Sequence, residues 1–241
     1  MNGDGDHPLD NVVWTALTTV HASIAIGRGL GRHYPRDMAP FSAVAEPTAR
    51  AYADLIEGLQ PGAEARLFRS REEPPPSGWV TLSTRPIIQM IADDLAPDDG
   101  TALAALSIEP LTTENAADML ALAEVAKPGP FGPRTVHLGS YIGVRDPARR
   151  RLLAMAGERF RLPGYVELSA ISVHPDARGR GLGRALTLDL MRRAFERGEV
   201  PFLHVFPDNP AASLYARWGF RERARPYVIW RRPIRCATVK A

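Results

Sequence analysis

One stretch constrains the fold more than any other. Residues 164–198 run from an apolar strand pattern, GYVELSAISV, through His174-Pro175-Asp176 and the hexapeptide GRGLGR into a helical pattern, ALTLDLMRRAFERG, that stops at Gly198. A strand passing to a helix through a glycine-rich turn calls for layered α/β architecture. The same six residues also occur at positions 27–32, so the surroundings decide which copy can bind an anion. A phosphate loop needs backbone N–H groups at a helix start, the helix dipole behind them, and glycines that let the anion approach. The first copy follows HASIAI, which has no sharp strand pattern, and Pro35 and Pro40 after it forbid a long helix. It reads as a turn with solvated arginines. The second copy precedes a helix with Leu182, Leu186, Leu190 and Ala194 on one face. Its spacing, GxGxG, is not the dinucleotide pattern GxGxxG, and Arg184-Ala185 stands where a Walker loop carries Lys and Ser or Thr.

The remaining chain reads as mixed α/β (α+β). With 241 residues, 45% of them hydrophobic, it can bury a substantial core. Two Pro/Gly/Asp-rich stretches, 71–78 and 96–100, read as loops, and the second marks the expected boundary between an N-terminal α/β domain (1–95) and a catalytic domain (96–241). Before it, FSAVAE, TARAYADLIEGL and EARLFR predict strand, helix and strand. After it come the strand LAALSIEPL, the helix TTENAADMLALAEVA with a threonine cap, and an antiparallel hairpin of RTVHLGSYIGVR with RLLAMAGERF. Beyond residue 198, VPFLHVF predicts a strand, NPAASLYARW a short helix, and FRERARPYVIWRRP a closing strand or hairpin.

Composition excludes several function classes. No apolar run approaches the roughly 20 residues needed to cross a bilayer, and the start of the chain is acidic and polar, so a cytoplasmic protein without a signal peptide or membrane contact is expected. The lone cysteine, Cys236, rules out an internal disulfide, and six scattered histidines show no ligand spacing, so no metal is expected. Only Lys127 and Lys240 among 30 basic residues are lysine; the other 28 are arginines, a bias that reads as a GC-rich coding genome. The net charge of +3 is dispersed, which disfavours nucleic acid and is compatible with a small polyanionic ligand.

Two motifs carry a family resemblance. Arg178-x-x-Gly181-x-Gly183 resembles the [Arg/Gln]-x-x-Gly-x-[Gly/Ala] signature of the GNAT acyl-CoA N-acyltransferases. NPAASLYARWGF, with Asn209, Ala212, Tyr215, Gly219 and Phe220, resembles that superfamily's second landmark at its usual separation. PGPFGPRTVHLGSYIGV looks like the glycine N-acyltransferase-like branch, in which a degenerate GNAT-like half precedes the catalytic one. The resemblance implies a mostly antiparallel sheet flanked by helices, with acetyl-CoA or another acyl-CoA as cosubstrate. Coenzyme A would rest its diphosphate on Arg178, Gly179, Arg180, Gly181, Leu182, Gly183 and Arg184. Its pantetheine would run beside Ile171, Ser172 and Val173, with Asn209 and Ala212 nearby, and a backbone N–H near Ile171 would meet the thioester oxygen.

Amine acetylation needs a base and an acid. Glu167 shares strand parity with Ser169, Ile171 and Val173 and stands eleven residues before Arg178, where histone-acetylating members of the superfamily carry their base. Desolvation there would raise its pKa; an arginine-paired or solvent-facing carboxylate is the alternative. The resemblance makes Tyr215 the acid, a core aromatic being the alternative. Arg134, with Thr135, is a candidate for holding an acceptor carboxylate, or a surface arginine at a strand start. His174 and His204 read as structural, Cys236 as no nucleophile, and Arg145, Arg149, Arg150 and Arg151 as a solvated turn. The expected reaction is direct acetyl transfer to a primary amine of a small molecule or peptide. A coenzyme A-binding sensor without turnover and another kind of nucleotide-binding module are the rivals, and edge strands leave room for a homodimer.

Overall fold

A computed structural model describes residues 7–94, 106–148 and 151–234. The chain divides into two compact units: residues 1–35, 40–87 and 225–241 form the first, and residues 36–39 and 88–224 the second.

The larger unit is built on a seven-stranded sheet. Its strands are β5 (Ile88–Ile91), β6 (Glu109–Leu111), β7 (Tyr141–Arg145), β8 (Leu152–Leu162), β9 (Tyr165–Val173), β10 (Val200–Val205) and β11 (Arg221–Ala224), in the order β11-β5-β10-β9-β8-β7-β6. All neighbours are antiparallel except β9 and β10. That parallel pair is joined by a crossover helix, α4 (Leu182–Glu196), as parallel strands require. α4 buries Leu186, Leu190 and Met191 against Leu168, Leu203 and Met90 on one sheet face. Each such leucine contributes about 2 kcal/mol of apolar burial. Helix α3 (Ala116–Ala126) packs Met119 and Leu122 with Tyr141, Met155 and Ala170 in a second cluster. Its entry is fixed by a capping box: Glu114 N–H donates to Thr112 Oγ1 at 3.3 Å, and Thr112 N–H to Asn115 Oδ1 at 2.8 Å.

The smaller unit holds α1 (Val12–Thr18), a hairpin of β1 (Gly31–His33) with β2 (Ser42–Val44), α2 (Ala49–Gly58), and a sheet of β3 (Ala65–Arg69), β4 (Trp79–Pro86) and β12 (Tyr227–Pro233) in the order β3-β12-β4. Its core is Val44, Tyr52, Leu55, Leu67 and Trp79.

The expected boundary at residue 96 is redrawn by this topology. β5 precedes it yet pairs with β10 and β11 in the larger sheet, and β12 follows it yet forms the centre of the smaller one. The closing segment is therefore no hairpin: β11 and β12 enter different sheets. The helices expected at TARAYADLIEGL, TTENAADMLALAEVA, ALTLDLMRRAFERG and NPAASLYARW are present, the last as α5 (Ala211–Arg217). RTVHL is a 3-10 turn ahead of β7. Of LAALSIEPL, the strand covers Glu109–Leu111, and residues 101–105 lie outside the described residues. Cys236, Arg149 and Arg150 also lie outside them.

Candidate functional site

The two hexapeptides fold differently. In the first, Leu30 N–H donates to the Asp54 carboxylate of α2 at 2.8 Å, and a Cβ on Gly31 would stand 2.4 Å from the Leu55 nitrogen. That copy is a turn that runs straight into β1, packed on a helix flank with a carboxylate already at its amide, so it opens a strand and not a helix.

The second opens a helix. Gly179 and Gly181 take φ of +75° and +74°, the left-handed region that glycine enters without strain. No side chain caps α4, and the first bond back to its start runs from Ala185 N–H to Gly181 O at 3.0 Å. The amides of the first turn thus precede the helix ladder and carry the positive end of the dipole. Cβ atoms added at Gly179 or Gly181 would meet nothing within 4 Å, so this mouth is open. Arg178 and Arg180 are exposed beside it, Arg180 donating to Asp176 O at 3.0 Å. Leu182 is buried and anchors the turn to the core.

The strand that leads there has two irregularities. Between the pairs Gly157–Ser169 and Met155–Ser172, two residues of β9, Ala170 and Ile171, oppose one of β8, and Ala170 sits at φ +53°. This bulge reverses strand parity. Leu168 before it and Ile171 and Val173 after it all pack on the α4 side, whereas Ala170 packs with α3. The expected shared parity of Glu167 with Ile171 and Val173 is therefore wrong: they stand on opposite faces. Ser172 is buried, and its hydroxyl donates to Ala170 O at 2.9 Å within the bulge.

The second irregularity is a fork. β9 and β10 pair only at Val200–Tyr165, Pro201–Val166 and Phe202–Glu167, although both strands continue, β9 to Val173 and β10 to Val205. Beyond Glu167 the facing edges of β9 and β10 are unpaired, and the opened edge of β9 runs towards the mouth of α4.

Glu167 sits at the apex of that fork, 0% exposed. Arg159 grips it with two bonds, Nε to Oε2 and Nη2 to Oε1, both 2.7 Å, and His204 Nδ1 donates to Oε1 at 2.6 Å. Burial alone would raise the Glu167 pKa. The Arg159 charge, its hydrogen bonds and the contact with His204 outweigh burial and lower it to about 2. The expectation of a carboxylate tuned upward towards a base is thus reversed, and the arginine-paired alternative holds. His204 is also shifted down, for a different cause: burial lowers its pKa despite the carboxylate, which favours the neutral ring. Because Nδ1 donates to Glu167, the neutral ring leaves Nε2 as an acceptor, 3.0 Å from Gln89 Nε2. Gln89 Oε1 accepts from Arg223 at 2.6 Å. One chain of hydrogen bonds crosses β8, β9, β10, β5 and β11 on the face away from α4.

Tyr215 lies on α5, half-buried, edge-on to Trp218 and Phe220 at 5.5 and 6.1 Å, and packed against the α4-side core. Burial pushes its pKa up to about 12, so the phenol keeps its proton at neutral pH. Asn209 Oδ1 accepts the Ala211 N–H at 2.9 Å and shapes the entry to α5, with Ala212 in the helix's first turn. Arg134 is turned to Asp37, its Nη1 3.3 Å from the carboxylate and its N–H on Asp37 O at 2.9 Å, which ties two loops together. The structure does not bring it into the fork. His174 accepts the Asp176 N–H through Nδ1, a turn-shaping role. Arg145, read from sequence as solvated, bridges Glu109 and Asp118 at 2.5 and 2.7 Å. Among the described residues no cluster of His, Cys, Asp or Glu could hold a metal ion, and no helix is long and apolar enough to cross a membrane.

Known proteins resemble this chain in sequence and fold. The FR47-like protein family matches residues 141–229, which cover the hairpin, fork, glycine turn and α5. A mycothiol acetyltransferase of Saccharomonospora viridis is 46% identical over 56 residues, and the N-alpha-acetyltransferase RimI of Mycobacterium tuberculosis is 37% identical over 83. These matches span 22% and 34% of this chain, and 18% and 51% of those proteins. A GCN5-related N-acetyltransferase from Kribbella flavida shares the fold, with a TM-score of 0.59 at 19% identity over 91% of this chain and 93% of its own. A solved GNAT-family protein from Novosphingobium aromaticivorans is 34% identical and superposes with a TM-score of 0.83, over 95% of this chain and 99% of its own. With a mostly antiparallel sheet forked beside a glycine-opened helix, and a full-length relative at that identity, the chain belongs to the GNAT superfamily of acyl-CoA-dependent N-acyltransferases.

Proposed function

We propose that the protein transfers the acetyl group of acetyl-CoA to a primary amine, directly and without a covalent enzyme intermediate. The observation that carries this reading is the alignment of an unpaired strand edge, beyond Glu167 on β9, with an open, uncapped helix mouth at Gly179 to Gly183. The diphosphate of the cosubstrate would sit on the amides from Arg178 to Arg184. The pantetheine amides would pair with the backbone of Ile171, Ser172 and Val173, taking the place that β10 leaves. The backbone N–H next to the Ala170 bulge would face the thioester oxygen as it gains charge. Tyr215, held protonated by burial, would donate its proton to the departing thiolate. Asn209 and Ala212 would shape the wall beside the pantetheine. The relative named as an N-alpha-acetyltransferase favours an α-amine as acceptor.

Glu167 has no part as a base in this reading, because its ionised carboxylate is held by Arg159 and His204; the amine enters neutral, and the proton it loses on attack passes to solvent. The same observation favours a second reading, in which the protein binds acetyl-CoA without turning it over. Two measurements separate them. Thermal stabilisation by acetyl-CoA, and none by NADP or ATP, supports the site. Release of free thiol from acetyl-CoA with a panel of amines, including peptides with free N-termini, supports transfer; binding with no release from any amine supports the second reading. Tyr215→Phe should lower kcat by about 10²-fold or more with little change in acetyl-CoA affinity. Equal losses in both would assign Tyr215 to packing.

A further inference from the structure

The sheet needs something to set how far β9 and β10 diverge. Backbone pairing ends at Phe202–Glu167, so no ladder bond fixes the spacing beyond that point. At that place the side chains take over: Glu167 of β9 and His204 of β10 are joined at 2.6 Å with 0% and 1% of their side chains exposed. Each end of this bond is held from behind. Arg159 reaches Glu167 because β8 carries an extra residue opposite it, between the pairs Glu158–Leu168 and Arg161–Val166. Gln89 holds the far nitrogen of His204 and is itself held by Arg223. Donors and acceptors agree along the whole chain, which admits one His204 tautomer. Buried networks satisfied in this way rigidify and specify one arrangement.

We propose that the Glu167–His204 bond is a side-chain clamp that sets the opening of the fork, making Glu167, His204 and Arg159 positioning residues for acyl-CoA rather than proton carriers in the reaction. The inference rests on the reading of the fork as the pantetheine channel. A spacing error of a fraction of an ångström would misalign the strand-like pairing with Ile171 and Val173, because those bonds need donor–acceptor distances near 2.9 Å.

His204→Asn places an amide donor where Nδ1 stands and keeps the bond to Glu167; His204→Leu removes it. Acetyl-CoA binding by calorimetry, backbone hydrogen exchange without ligand, and a pH profile of thiol release test the clamp. His204→Leu is expected to weaken acetyl-CoA binding roughly tenfold and to speed exchange in residues 168–173 and 203–205. His204→Asn is expected to restore both towards wild type, and the pH profile is expected to keep its shape in each. Arg159→Lys, which keeps the charge but loses the two-pronged grip, should weaken binding in the same direction and serves if His204→Leu does not fold. A folded His204→Leu or Arg159→Lys protein with wild-type affinity and exchange overturns the clamp. So does a variant that binds normally while its pH profile shifts, since that marks a proton carrier. If wild-type protein fails to bind acetyl-CoA, the channel reading fails; the exchange comparison still decides whether the bond holds the strands.

Discussion

Gly157 provides a direct test of how the sheet face opposite α4 is packed. It pairs with Tyr141 on β7 and with Ser169 on β9, so the three side-chain positions form one row across the sheet. A Cβ on Gly157 would lie 2.2 Å from Cδ1 and Cε1 of Tyr141 and 2.6 Å from Cγ. Carbon contacts are comfortable at about 3.5–4.0 Å, so the ring would have to withdraw by more than about 1 Å. It has little room to do so, being 2% exposed and met edge-on by Phe131 at 6.0 Å. Overpacking of this kind costs about 1–3 kcal/mol, while replacing glycine by alanine restrains the unfolded chain and returns about 0.4–1 kcal/mol. Gly157→Ala should therefore destabilise the protein by about 1–2 kcal/mol. With the ring removed in Tyr141→Ala, the same change should be neutral or mildly stabilising. The double-mutant cycle, read from urea denaturation with m-values checked for constancy, should give a coupling of about 2 kcal/mol. If Gly157→Ala costs the same in both backgrounds, the ring is not the obstacle and the packing argument fails.

Three further outcomes follow from the geometry. The Tyr141 hydroxyl is buried with no partner, so Tyr141→Phe should leave stability unchanged or raise it, as thermal denaturation will show; a loss of more than about 1 kcal/mol would mean that the hydroxyl is bonded. Gly181→Ala puts a methyl into open space but forces alanine to φ +74°, so it should cost about 1 kcal/mol of stability and weaken acetyl-CoA binding; unchanged affinity in calorimetry would count against the loop. In acid, His204 and Glu167 both favour unfolding, because the folded pKa of each lies below its unfolded value. The His204 contribution is complete above pH 6.5 and declines below it. That of Glu167 is complete above pH 4.5 and is lost between 4.5 and about 2, on the order of 3 kcal/mol. Denaturation midpoints across pH 2–7 check this, and a flat response below pH 4.5 would contradict the ion pair.

The sequence was legible where local chemistry decides structure. Glycines at 179 and 181, set between a strand pattern and a leucine stripe at helical spacing from 182 onward, favour a tight turn into a buried helix face, so the helix mouth is readable in the sequence. Long-range register was not. Gln89 is 115 residues from His204 in the chain, and no local pattern announces that β5 crosses into the larger sheet. The bulge at Ala170 was hidden because an alanine, not a glycine, occupies φ +53°. Glu167 was found for its place and misjudged for its partners. Counting along the hairpin misleads here: the turn at Pro163-Gly164 pairs Leu162 with Tyr165, which puts Phe160 opposite Glu167. The extra residue in β8 replaces that phenylalanine with Arg159, and only three-dimensional register reveals the exchange.

The swapped strand has a consequence for biosynthesis. Chains emerge from the ribosome from the N-terminus onward. The seven-stranded sheet has all its strands once residue 224 is available, but β3 and β4 have no shared partner until β12 has been made. The smaller unit's sheet is therefore completed only after every strand of the larger one is available, and until then the edges of β3 and β4 that β12 will occupy stay open to mispairing.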